Sequence, residues 1–235
     1  IILKNGKVIF EHANGMRDIE AQDAMETTDL FRIASQTKAI ISAGILLLQE
    51  DGKLIVTAPA SRYLPEFAKT TVAVPNGDGY DVVDARRQIT IRHLLTHTSG
   101  IGYGYGPAAD KWKEAEIQGW YFADREEPIR ETVRRMAALP MDRQPGEEFV
   151  YGYSIDILGA VIEEVSGQPL DVFLKDRIFE PLGMMDTHFY LPAEKLDRLA
   201  VVYSSIDGSL SRAADSSTMN GQGEYSSGPM KSFSG

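Results

Sequence analysis

Residues 35–52 read Ser35-Gln36-Thr37-Lys38-Ala39-Ile40-Ile41-Ser42-Ala43-Gly44-Ile45-Leu46-Leu47-Leu48-Gln49-Glu50-Asp51-Gly52. From Ala39 to Leu48 only Ser42 and Gly44 interrupt the apolar residues. A helix that is apolar all round is a buried helix, so the pattern predicts one from about Ser35 to Gln49, stopped at Gly52. Positions i and i+3 share a helix face, so the Ser35 hydroxyl and the Lys38 amine can meet. At a helix N-terminus, unpaired N–H groups and the positive end of the dipole face any negative charge that develops on the serine oxygen. A capping serine beside a snorkelling lysine is the plain structural alternative. A lysine opening a buried helix needs a reason to be there, and the chemical reason is Ser35 as nucleophile with Lys38 as its base.

Upstream, Ile1–Leu3 and Val8–Phe10 flank Lys4-Asn5-Gly6-Lys7, and Asn-Gly is a favoured two-residue hairpin turn. Residues 17–34 read as irregular. Downstream, residues 53–88 read as loop-rich, with Pro59, Pro65, Pro75 and Asn76-Gly77. A short helix fits Thr90–Thr96, followed by a Gly/Tyr-rich loop at 102–106. Pro128 opens a helix to Ala138, Ser154 can cap one to Val165, and Pro169 opens another to Phe179. Thr187–Leu191 is expected to be a strand. From Ser204 onward Ser and Gly dominate, which suggests a surface loop or a tail.

The 235 residues suffice for one large domain or two interleaved small ones. Lys and Arg total 24 against 34 Asp and Glu, a net charge of −10, with no basic stripe. That balance argues against nucleic acid or an anionic membrane as partner. No apolar run reaches transmembrane length. The lack of cysteine excludes a thiol nucleophile, a disulfide framework and a thiolate metal site. It fits the bacterial cytoplasm and a periplasmic or secreted protein alike.

Two other constellations carry potential chemistry. Phe149-Val150-Tyr151-Gly152-Tyr153-Ser154 lies between Pro145-Gly146 and an apolar helix, where a tyrosine can reach a cleft as a proton relay or simply pack. His93-Leu94-Leu95-Thr96-His97 has the i, i+4 spacing of zinc ligands, but Leu94 stands where a general-base Glu would be. A metal site is therefore not expected, and His97 reads as a structural hydrogen-bonding residue beside Thr98-Ser99-Gly100. The chain has no G-x-S-x-G elbow and no G-x-G-x-x-G or Walker-type phosphate loop.

Taken in order, these segments resemble the serine β-lactamase and penicillin-binding-protein superfamily, on the side of the class C β-lactamases, D-alanyl-D-alanine peptidases and family VIII carboxylesterases. The resemblance is carried by Leu30 to Lys38, by Tyr63-Leu64-Pro65-Glu66-Phe67 and above all by Ile89-Thr90-Ile91-Arg92-His93-Leu94-Leu95-Thr96-His97-Thr98-Ser99-Gly100. Pro145-Gly146 through Tyr151, Ile157-Leu158-Gly159 through Gly167, and Pro181-Leu182-Gly183-Met184 continue it. It implies Ser35 as the acylated nucleophile, Lys38 as proton acceptor, Tyr151 as proton shuttle and the Ser35 N–H as half of an oxyanion hole. It implies no cofactor and no metal, and a small-molecule ester or β-lactam as substrate.

Two departures from the family pattern shape the reading. The second motif ends in Tyr153 where β-lactamases and peptidases carry Asn, so Tyr153 is expected to line the substrate site and to favour esters. The third motif, Lys-Thr-Gly or its variants, is absent: in Lys231-Ser232-Phe233 a phenylalanine replaces the small residue, and Phe233-Ser234-Gly235 resembles the segment that precedes later strands. The chain is thus expected to stop short at its C-terminus and slightly at its N-terminus. The implied fold is α+β, β-lactamase/transpeptidase-like: an antiparallel sheet with flanking helices and an inserted helical subdomain, with the C-terminal part of the sheet missing. The expected divisions are 1–52 (hairpin and nucleophile helix), 53–180 (helical subdomain) and 181–235 (return to the α/β part). The function implied is an acyl-enzyme serine hydrolase acting on carboxylic esters. A β-lactamase or D-alanyl-D-alanine carboxypeptidase is the alternative, and a catalytically silent binding or scaffold protein is the alternative of another class.

Overall fold

The computed structural model describes residues 1–119, 127–216, 221–223 and 233. In chain order the elements are β1 (Ile2–Lys4), β2 (Lys7–Phe10), β3 (Met16–Asp18), β4 (Asp23–Ala24), α1 (Thr37–Glu50), β5 (Thr71–Asn76) and β6 (Gly79–Asp84). There follow α2 (Ile91–Leu95), α3 (Ala109–Glu114), α4 (Ile129–Met136), α5 (Ser154–Ser166), α6 (Leu170–Leu174), β7 (Tyr203–Ile206) and β8 (Ser209–Arg212). Among the described residues the strands form antiparallel two-stranded ribbons, β1–β2, β3–β4, β5–β6 and β7–β8.

The chain divides into two compact units, Ile1–Arg32 with His188–Gly228, and Ile33–Thr187 with Pro229–Gly235. Helix α1 groups with the helical residues of the second unit, packing on α5 and α6.

In the first unit, Asn5-Gly6 and Asp207-Gly208 turn the β1–β2 and β7–β8 hairpins with both residues left-handed, φ +50° and +72°, and +50° and +77°. That is the geometry for which Asn-Gly and Asp-Gly are selected. The β7–β8 hairpin lies in the stretch read as a loop or tail, and β3–β4 in the one read as irregular. Conversely, Thr187–Leu191 is not a strand but a series of bends. Arg17 ties the unit together through Asp23 and, at 2.8 Å, Asp29. The Tyr203 hydroxyl accepts the Ile19 N–H at 2.8 Å.

The second unit is built on α5, which is buried from Ser154 through Ile162 and packs against α1, α2, α4 and α6. Gly44 lets α1 approach closely: a Cβ there would lie 3.0 Å from Ile162 and 3.2 Å from Leu174. Helix α1 itself is buried along one stripe, Lys38, Ile41, Gly44, Ile45 and Leu48, whereas Ala39, Ala43 and Leu46 are exposed. The expectation of burial all round fails because α5 and α6 cover only one side of α1. The β5–β6 hairpin falls in the segment read as loop-rich. Pro75 is tolerated there because a two-stranded ribbon has only edge strands. Backbone bonds with Met141 dock it, Ala73 N–H to Met141 O at 2.9 Å and Met141 N–H to Thr71 O at 2.8 Å.

Lys231, Ser232, Ser234 and Gly235 lie outside the described residues. Phe233 is a core side chain, set against Gly159, where an added Cβ would lie 2.5 Å from its ring. Its N–H donates to the buried Asp156 Oδ1 at 2.9 Å.

Candidate active site

Ser35 sits in a 3-10 turn, Ala34–Gln36, that runs straight into α1. The preceding Ala34 holds φ at +43°. A left-handed alanine costs about 1–2 kcal/mol, and such strain persists where the surroundings fix it, commonly at functional sites. One turn on, Lys38 is buried, and its Nζ donates to Ser35 Oγ at 3.1 Å.

Tyr151 arrives from the irregular segment between α4 and α5. Two backbone bonds pin that segment to the end of α2: Gly146 N–H to Thr98 O and Val150 N–H to His97 O, both 2.7 Å. Gly152 then presses on the chain at Ile101 and Gly102, leaving no room for a side chain: a Cβ there would lie 2.4 Å from the Ile101 carbonyl oxygen. This anchorage places the Tyr151 hydroxyl beside Ser35, Lys38 and Tyr103, close enough for all three to act on its titration. The Lys38 ammonium stands 5.0 Å from the centre of the Tyr151 ring. Burial pushes the Tyr151 phenol up, but the hydrogen bonds from Ser35 and Lys38 and the lysine charge outweigh it, and its pKa lies below the ordinary tyrosine value.

Tyr103 was not singled out by the sequence, where it is one of several residues in a Gly/Tyr-rich loop. Burial, the charge of Asp156 and the bond to Tyr151 all hold its phenol well above the usual range. The two tyrosines are thus driven apart, Tyr103 remaining a proton donor while Tyr151 is eased toward the phenolate. Divergence of paired titratable groups is how acid and base parts are assigned within one site. Asp142 helps to shape the same loop, its carboxylate lying where a Cβ on Gly102 or Gly106 would come within 2.2 or 2.0 Å.

The structure places Tyr153 in the core. Its side chain is fully buried, stacked on Trp112 with centroids 5.8 Å apart and edge-on to Tyr103 at 5.0 Å. Its hydroxyl donates to the Gly119 carbonyl at 2.7 Å. The backbone turns at Gly152, sending residue 151 toward Ser35 and residue 153 into the core as the residue before α5. Ser154, expected as a cap, instead shares a 2.8 Å hydrogen bond with the buried Ser99 Oγ.

The two histidines serve separate ends. His93 Nδ1 accepts the Thr90 N–H at 3.3 Å while the Thr90 hydroxyl accepts the His93 N–H at 3.1 Å, a reciprocal cap on α2. His97 turns its ring onto Tyr151, centroids 4.8 Å apart. Among the described residues no group of His, Asp and Glu is arranged to hold a metal ion.

The chemistry this arrangement can support is nucleophilic attack by a hydroxyl that has a lysine and a phenol beside it. A family model described as Beta-lactamase matches residues 1–231. The chain is 37% identical to Esterase EstB of Burkholderia gladioli, over 86% of this chain and 49% of that one. It is 32% identical to the putative penicillin-binding protein PbpX of Bacillus subtilis, over 86% of this chain and 44% of that one. Among solved structures it is similar to EstCE1, described as a hydrolase with promiscuous acyltransferase activity, with TM-score 0.76 and 31% identity, covering 89% of this chain and 52% of that one. The chain thus spans about half the length of the curated relatives it matches.

Proposed function

The chain belongs to the beta-lactamase family, and from that premise we propose that it is the nucleophile-bearing part of a serine hydrolase that cleaves carboxylic esters through an acyl-enzyme. The observation that carries the reading is the 3.1 Å approach of Lys38 Nζ to Ser35 Oγ beneath the hydroxyl of Tyr151. Ser35 Oγ adds to the ester carbonyl as its proton passes to the Tyr151 oxygen, whose negative charge the Lys38 ammonium offsets. The bond from that carbon to the alcohol oxygen then breaks, and Tyr151 returns the proton to the leaving alkoxide. Water attacks acyl-Ser35 along the reverse proton path and releases the carboxylic acid. The Ser35 N–H, at the positive end of α1, serves as one oxyanion donor, worth about 3 kcal/mol in comparable sites.

Esters are favoured over β-lactams because position 153 offers no amide to hold an acylamino side chain. Tyr153 is committed to Trp112 and Gly119 instead. The similarity to a putative penicillin-binding protein supports the peptidase or β-lactamase alternative. A silent binding protein would have no use for a strained nucleophile turn with a buried lysine beside it. Comparing kcat/KM for p-nitrophenyl butyrate and nitrocefin, with Ser35→Ala as control, separates these readings. The ester should be the better substrate, and its turnover should vanish in the control. A preference for nitrocefin would move the protein to the β-lactamases, and turnover surviving in Ser35→Ala would remove the mechanism.

A further inference from the structure

His97 is not needed by the reaction just described, yet it concentrates two local costs. Its backbone is left-handed, φ +52°, in a residue with a side chain. The residue is 8% exposed, and its buried Nδ1 has no hydrogen-bond partner among the described residues. Buried polar atoms are nearly always satisfied, so one that is not calls for an explanation. The ring contacts two aromatic side chains of the same segment: Tyr151, centroids 4.8 Å apart and 32° between planes, and Phe149, 5.7 Å and 53°. The His97 carbonyl also accepts the Val150 N–H between them.

We infer that His97 is the positioning residue of Tyr151: its imidazole is the plane on which the phenol rests, and this support keeps the Tyr151 hydroxyl beside Ser35 and Lys38. The strained backbone aims the ring inward at the end of α2, where an extended turn would point it elsewhere. The charged and titratable groups beside it are Lys38 from α1 and Tyr151 itself. Burial and the Lys38 charge both favour the uncharged imidazole, and the nearby Val150 backbone opposes them. The ring therefore meets Tyr151 as a neutral plane. The consequence for turnover rests on the serine-hydrolase reading, whereas the support of the phenol does not.

Phenol titration of this chain carrying 13Cζ-tyrosine tests the inference without reference to activity, with Tyr151→Phe assigning the resonance. Tyr151 should titrate below the ordinary tyrosine value in the unmodified chain. In His97→Gln, which lacks the aromatic plane, the midpoint should rise by about one pH unit as the hydroxyl leaves its partners. In His97→Phe, which keeps the plane and loses both nitrogens, it should stay near the unmodified value. Ester turnover measured in parallel should fall about tenfold or more in kcat for His97→Gln at nearly constant KM, and be largely kept in His97→Phe. A Tyr151 midpoint unmoved in folded His97→Gln, or moved equally by Phe, would overturn the inference. Absence of ester turnover in the unmodified chain would refute the esterase reading and leave the titration result to be judged by itself.

Discussion

Gly152 separates the tyrosine that faces Ser35 from the tyrosine that enters the core, and main-chain atoms crowd it. A methyl group added there would lie 2.4 Å from the Ile101 carbonyl oxygen and 2.5 Å from two backbone atoms of Gly102. All three are main-chain atoms, so no side chain can swing aside. Ordinary contact begins near 3.4 Å, so Gly152→Ala must move the 151–153 segment by about 1 Å, an overpacking that typically costs about 1–3 kcal/mol. Tyr151 is carried with it, away from Ser35 and Lys38. A misplacement of about 1 Å in a catalytic group costs on the order of a hundredfold in rate. Thermal unfolding should show a modest loss of stability, and steady-state hydrolysis of p-nitrophenyl butyrate a kcat loss on the order of a hundredfold at nearly unchanged KM. A folded Gly152→Ala protein with kcat within threefold, or about half a log unit, of the parent would refute the claim that this glycine sets the position of Tyr151.

Tyr151→Phe should lower kcat by about 10²–10⁴, the usual worth of a positioned acid–base group, while changing the melting temperature little because the side chain is 44% exposed. Tyr153→Phe should do the reverse: it leaves the Gly119 carbonyl unpaired and costs about 1–3 kcal/mol in denaturant unfolding, with kcat nearly kept, and a large kcat loss would restore a direct role to this residue. Burial holds the Asp142 carboxyl above its ordinary pKa, opposed by Arg143. The folded state therefore binds that proton more tightly than the unfolded state, and the stabilisation is lost as pH rises through the folded value. Asp142→Asn should accordingly be more stable than the parent at neutral pH, with the advantage shrinking as pH falls below the carboxylate range; an advantage that grows in acid would contradict the assignment.

What the sequence made legible was local. The Ser35–Lys38 approach follows from helical spacing, and the cap at Thr90 and His93 from the chemistry of a helix start. Tyr151 stood out only through the order of motifs, since more than a hundred residues separate it from Lys38 and only packing brings them together. Tyr103 carried no signal at all, because its partner is chosen by the fold. Tyr153 misled for a definite reason: a residue two positions from a site tyrosine seems to share its face, but the close backbone contact at Gly152 and the start of α5 reverse the direction. The β7–β8 hairpin was hidden by its Ser-rich composition, although Asp207-Gly208 is the turn that such a hairpin requires. The exposed side of α1 could not be read from residue types, since Ala39, Ala43 and Leu46 are as apolar as the side that is covered.

The account stands on Ser35 being a nucleophile made reactive by Lys38 and Tyr151. Intact-mass spectrometry after incubation with a p-nitrophenyl alkylphosphonate measures this most directly, because the reagent is captured by an activated serine and by no ordinary hydroxyl. One phosphonyl adduct should form on the parent protein, none on Ser35→Ala, and adduct formation should be markedly slowed in Lys38→Met and Tyr151→Phe. The same adduct on parent and Ser35→Ala, or an adduct rate indifferent to Lys38 and Tyr151, would contradict it.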